Sequence, residues 1–186
     1  MINTLKNFTW SLFIFSGFLL SNYSHNFNST DTNSLDYNQL YLDSQEFVEA
    51  DNLERAIMNL NKIINKQRTY QKSDDILIMN AYYDLGQIYL SRSIDYEKAS
   101  SYFEYIYNNV FSGYEIESPS EFKGLSELKQ KSLFMLGYIF HNHIGNFSIA
   151  EYYYSTFLNK YPNSELSSSV EYELNTIKQE IEKFKK

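Results

Sequence analysis

The stretch LFMLGYIF, Leu133–Phe140, decides the fold. It is apolar on every side, and periodicity alone reads it equally well as a buried strand or a buried helix segment. Alignment with a second stretch settles the reading. In ILIMNAYYDLGQIYL, Ile76–Leu90, a helical run carries Leu85, Gly86 and Tyr89 where the first stretch carries Leu136, Gly137 and Phe140. A glycine inside a helix costs about 1 kcal/mol against alanine. Its recurrence at one place predicts that another helix approaches closely there. An earlier run has Ser44 as the small residue and Phe47 as the aromatic one.

Downstream of each run stands a short motif: NLERA (Asn52–Ala56), DYEKA (Asp95–Ala99) and NFSIA (Asn146–Ala150). The Asn or Asp can cap a helix by accepting a backbone N–H, and the Ala lets two helices come close. Four residues after each Ala stand Leu60, Phe103 and Tyr154; seven after stand Ile63, Ile106 and Phe157. These offsets share one face of an α-helix. The pattern predicts three helical hairpins. A final stripe of Val170, Leu174, Ile177, Ile181 and Phe184 predicts a terminal helix that covers the last hairpin, as a stacked array requires.

These residues resemble the tetratricopeptide-repeat family, whose pattern is Leu-Gly, an aromatic three residues on, then Ala, an aromatic and Pro. The second unit supplies Leu85, Gly86, Tyr89, Ala99 and Phe103; the third supplies Leu136, Gly137, Phe140, Ala150, Tyr154 and Pro162. The first is degenerate, with Ser44, Phe47, Ala56 and Leu60. The resemblance implies an all-α solenoid of about three hairpins plus a capping helix over 36–186, and a job in binding proteins. The alanines lie further apart than the family period of about 34 residues. The extra residues fall around Lys66–Asp75 and in Val110–Glu127. Long connections, and the junction KYPNSEL (Lys160–Leu166), resemble envelope members of the family in bacteria, of the outer-membrane-assembly lipoprotein and cell-division-coordinator types. Those lipoproteins need a cysteine after the signal, and this chain has none.

The absence of cysteine also removes disulfides, thiolate metal sites and cysteine nucleophiles. The net charge is −7, which repels phosphate backbones and argues against nucleic acid. Residues 1–24 read as a signal peptide or N-terminal anchor: Lys6 precedes the uncharged Phe8–Leu20, shorter than the ~20 residues of a membrane span, and Ser21 and Ser24 are the candidate cleavage positions, though Leu19 and Asn22 do not complete a small-x-small site. Residues 25–35 read as a flexible polar linker. Export to the periplasm is the expectation, with an inner-membrane-anchored form as the alternative.

No phosphate loop, nucleophile elbow or zinc motif is present, and no enzyme activity, metal or cofactor is expected. His141 and His143 point to different sides of a helix and read as a solvated helix end. Asp74 and Asp75 read as helix-start charges. The acids of the longer insert lack calcium-loop spacing. The best constellation is a surface. Asn38, Tyr41 and Gln45 repeat as Asn80, Tyr83 and Gln87, with Lys131, Phe134 and Tyr138 in the equivalent places. Their spacing shares one helical face. Amides can bond an extended peptide and tyrosines give rigid contact area. Two readings remain open: these nine residues line a peptide groove, or they are ordinary repeat-surface residues whose tyrosines pack between hairpins. A carbohydrate-binding or enzymatic helical-repeat protein is the alternative of another class. In IAEYYYSTFL (Ile149–Leu158), helical geometry makes Tyr154 a core ring, Tyr153 an edge ring and Tyr152 an exposed one.

Overall fold

Short capped turns between apolar helical runs fold the chain into antiparallel helix pairs. The computed structural model describes residues 36–65, 75–110 and 119–184. The signal or anchor, the linker, Asp74 and most of the first insert lie outside them. Seven α-helices run α1 (Tyr37–Glu49), α2 (Leu53–Asn65), α3 (Asp75–Ser91), α4 (Tyr96–Asn109), α5 (Pro119–Ile139), α6 (Phe147–Lys160) and α7 (Ser167–Phe184) among the described residues. A single π-turn, Phe140–Ile144, extends α5. The hairpins are α1–α2, α3–α4 and α5–α6, and α7 closes the array. Each helix packs on the next in sequence, and the first helices also meet: α1 touches α3, and α3 touches α5. The architecture is an all-α, tetratricopeptide-like helical solenoid.

The three turns are built alike. The capping side chains of Asn52, Asp95 and Asn146 accept from the N–H groups of Arg55, Lys98 and Ile149, at 3.4, 3.0 and 3.1 Å. Their own N–H groups donate back to the carbonyls of Phe47, Tyr89 and Phe140, the aromatic position of each unit. The residue before each cap is left-handed: Asp51 at φ 57°, Ile94 at 53° and Gly145 at 74°. Gly and Asp suit that conformation, whereas a β-branched residue does not. Ile94 is also 65% exposed, so its side chain gains little burial in return. Ile94→Gly should therefore raise the thermal midpoint by about 2 °C. Relief of about 1–2 kcal/mol is partly offset by the backbone entropy of glycine. A lowered midpoint in thermal denaturation would contradict the strain.

Side-chain size registers the helices within each hairpin. A Cβ on Gly86 would lie 2.8 Å from the Phe103 ring, and one on Gly137 would lie 2.3 Å from the Tyr154 ring. Thus the glycine of the first helix receives the aromatic ring of the second. Leu60 replaces the ring in the first hairpin, and there the small position tolerates Ser44. Ala56, Ala99 and Ala150 are fully buried on the second helices, as their spacing predicts. Between hairpins, Tyr41 of α1 reaches Asp84 of α3, while Lys160 of α6 donates to the Tyr107 hydroxyl of α4 at 2.9 Å.

Three expectations need correction. Val110–Glu127 is not wholly an inter-unit insert, because α5 begins at Pro119 and gives the third hairpin a longer first helix. Proline suits a helix start, where its missing N–H would have had no partner. His141 is not a solvated helix end. It is buried, with Nδ1 3.0 Å from Glu173 and Nε2 3.2 Å from Glu180, both on α7. The π-turn carries the ring toward the terminal helix. The third correction concerns Tyr41, Tyr83 and Phe134 and is set out below. The tyrosine run behaves as its periodicity predicts: Tyr154 and Tyr153 are buried and Tyr152 is exposed. The stripe of α7 also buries Val170, Leu174 and Ile177.

Candidate functional site

The first helices α1, α3 and α5 stand in a row, and the nine residues singled out by spacing divide there into two sets. Asn38 is exposed, and Gln45, Asn80, Gln87, Lys131 and Tyr138 are half-buried, so these six reach the surface. Tyr41, Tyr83 and Phe134 do not: they are 5%, 7% and 2% exposed. The rings are packed within and between the hairpins instead. Tyr83 meets Phe103 edge-on at 5.4 Å between ring centres, and Phe134 meets Tyr154 at 6.1 Å. Tyr83 and Phe134 thus rest on the core aromatic of their own hairpins, whereas Tyr41 turns its hydroxyl to Asp84 of the next one. Replacing Tyr41 and Tyr83 with Ala would consequently damage the scaffold as well as any surface.

A carboxylate that the repeat pattern does not mark lies beneath this row. Asp84 follows the aligned Tyr83 and is buried at the junction of the first two hairpins. The Tyr41 hydroxyl donates to its Oδ2 at 2.6 Å, and the Gln45 amide donates to the same oxygen at 2.8 Å. Burial pushes the Asp84 carboxyl up to about 6, against the opposing pull of these two hydrogen bonds. Burial also raises the Tyr41 hydroxyl, and the adjacent Asp84 charge adds to this. Beside them, Gln87 donates to the Tyr83 hydroxyl at 3.1 Å. The sequence signal for Asp84 is an acid inside an otherwise apolar helical run, AYYDLGQIYL.

The raised value fixes the direction of the pH response. Native Asp84 holds its proton to higher pH than an unfolded aspartate does. Its contribution is therefore fully present below the unfolded value near 3.8 and is lost as pH rises through about 6. The burial of this charge costs on the order of 3 kcal/mol at neutral pH. Asp84→Asn keeps an oxygen for both donors and removes the charge. It should stabilise the protein at pH 7 by about 2 kcal/mol and flatten the stability profile between pH 4 and 6. Urea unfolding across that range checks it. A destabilised variant with an unchanged profile would show that the carboxylate is not held at a cost.

Two histidines complete the inventory. His143 stacks on Tyr96 at 4.2 Å, joining the second and third turns, and burial lowers its pKa. No group of three or more His, Cys, Asp or Glu side chains among the described residues could hold a metal ion. No described helix is long and apolar enough to cross a membrane.

Neither a curated protein nor a solved structure matches the chain significantly. Residues 131–164, which contain Leu136, Gly137, Phe140, Ala150, Tyr154 and Pro162, match the family of the tetratricopeptide repeat, and the hairpins stacked before them repeat its construction.

Proposed function

We propose that the chain is a non-catalytic scaffold of the bacterial cell envelope, exported to the periplasm, which holds a protein or peptide partner on the row formed by α1, α3 and α5. Tetratricopeptide repeats are an interaction fold, and they do this work by surface complementarity. The observation that carries the reading is the repeated polar edge of the row. Asn38, Gln45, Asn80, Gln87, Lys131 and Tyr138 recur at matching places on successive helices and reach the surface. Amides spaced this way offer donors and acceptors to an extended backbone. Export is supported by the uncharged segment Phe8–Leu20 behind Lys6.

A photo-activated cross-linker placed at Asn80 or Lys131 in the native cell should join the protein to one recurrent partner, identified by mass spectrometry. The same probe at Tyr172, exposed on α7, should not. Equal products from all three positions, or none from the row, would refute the assignment. A mature N-terminus after Ser21 or Ser24 would support a free periplasmic protein, and an intact N-terminus the anchored form.

A further inference from the structure

The terminal helix is held unevenly along its length. Its apolar stripe is buried as far as Ile177, whereas none of residues 178–183 is buried and Ile181 is only half-buried. Glu173 and Glu180, two turns apart on one face of α7, hold His141 from opposite sides, at Nδ1 and Nε2. The second half of the helix is tied to the array by the Glu180–His141 bond at 3.2 Å. The two carboxylates differ in their access to water: the Glu173 side chain is 13% exposed and the Glu180 side chain 37%.

Only a doubly protonated ring donates to both carboxylates. When one proton leaves, one glutamate faces a bare ring nitrogen and must part from it. Glu180 can turn into water at little cost, whereas an unpaired Glu173 would stay largely buried. The remaining proton therefore stays on Nδ1 with Glu173. We propose that the second half of α7 is a proton-controlled flap, closed while His141 carries both protons and released when it keeps one, with the first half docked in both states. This goes beyond the scaffold reading and does not depend on it. The groups facing His141 are Glu173 and Glu180 from α7 and the Phe147 ring from α6, edge-on at 5.8 Å. The hydroxyls of Tyr138 on α5 and Tyr154 on α6 feel the Glu173 charge. Burial first, and then that charge, raises both above the ordinary tyrosine range, so neither titrates with the ring. His143, in the same π-turn, is lowered by burial and stacks on Tyr96 instead. Burial opposes the charge on His141, but the bonds and charges of the two glutamates outweigh it. The flap is thus closed through the ordinary histidine range and opens as pH rises through the higher native value. Opening bares the Nε2 edge of the ring and leaves the hairpins in place.

Methyl relaxation on the purified full chain, labelled at isoleucine, tests the flap, because Ile177 and Ile181 report on the two halves of α7. The His141 midpoint is read from its ring resonances in the same samples. Between pH 5.5 and pH 9 the order parameter of the Ile181 methyl should fall to about half, while that of Ile177 stays unchanged. The fall should share the midpoint of His141. Glu180→Gln offers a carbonyl to a ring N–H and an amide to a bare nitrogen, so its flap should stay closed at both pH values. Glu180→Ala should leave the flap open at both, lower the His141 midpoint and keep Ile177 ordered. The proposal is overturned if Ile181 is as ordered at pH 9 as at pH 5.5, or if Ile177 loosens with it. It is equally overturned if the loosening does not follow the His141 midpoint, or if Glu180→Ala keeps Ile181 ordered at pH 5.5. None of these outcomes bears on the row, which cross-linking tests separately.

Discussion

Gly137→Ala should destabilise the protein by about 2 kcal/mol, although alanine is the better helix former. The added Cβ falls 2.3 Å from the Tyr154 ring, which is fully buried and has no room to retreat. Overpacking of this kind costs about 1–3 kcal/mol or more, against a helix-propensity gain of about 1 kcal/mol. The first hairpin shows what relieves the clash: a smaller residue than a ring on the second helix, as with Ser44 and Leu60. Tyr154→Leu alone should cost about 2–4 kcal/mol through the cavity it leaves. The double substitution should cost clearly less than the two singles combined, with a coupling of at least 1 kcal/mol. Chemical denaturation of the four proteins measures this. Additive losses would mean that the glycine does not receive the ring.

The second large effect is expected at His141. Both of its nitrogens face carboxylates of the terminal helix. Neutral imidazole has only one N–H, so both bonds are satisfied together only when the ring is protonated. Burial pulls the His141 pKa down, but the hydrogen bonds and charges of Glu173 and Glu180 outweigh it and hold the value above the usual histidine range. Folding therefore favours the protonated ring. The stabilisation is complete below the ordinary histidine value and is lost as pH rises through the higher native one. His141→Ala should cost about 2–4 kcal/mol at pH 6, because it leaves Glu173 largely buried and unpaired. The difference from the natural protein should shrink by pH 9. Hydrogen exchange should place the loss in α7 first, since that helix is held from one side by α6 and by this contact. A pH-independent penalty would contradict the ionic latch.

How much of this was legible beforehand depends on the kind of signal. The hairpins were readable because their causes are local and periodic: a cap, a small residue, and an apolar residue at each helical offset. Asn146, Ala150 and Tyr154 announce a second helix regardless of what surrounds it. The start of α5 was hidden because Val110–Glu127 has mixed composition, and its helix is sustained by packing on α4 as much as by propensity. Tyr41, Tyr83 and Phe134 share a face with Asn38, Asn80 and Lys131, and spacing shows only the shared face. Which side of that face turns inward depends on the neighbouring helix. His141 escaped detection because its partners, Glu173 and Glu180, are supplied by α7, more than a helix away in sequence. Asp84 left the fainter sign of a charge in an apolar run, which marks a position worth explaining but not its partners.

The most direct test of the scaffold account is the affinity of the cross-linked partner, once purified, for the natural protein and for the variant Asn80→Ala with Lys131→Ala. Both side chains are half-buried on the row. Titration calorimetry should show at least a tenfold weaker complex for the variant, with the thermal midpoint of the free protein unchanged. Equal affinity for the two proteins would mean that the row of first helices is not where the partner binds.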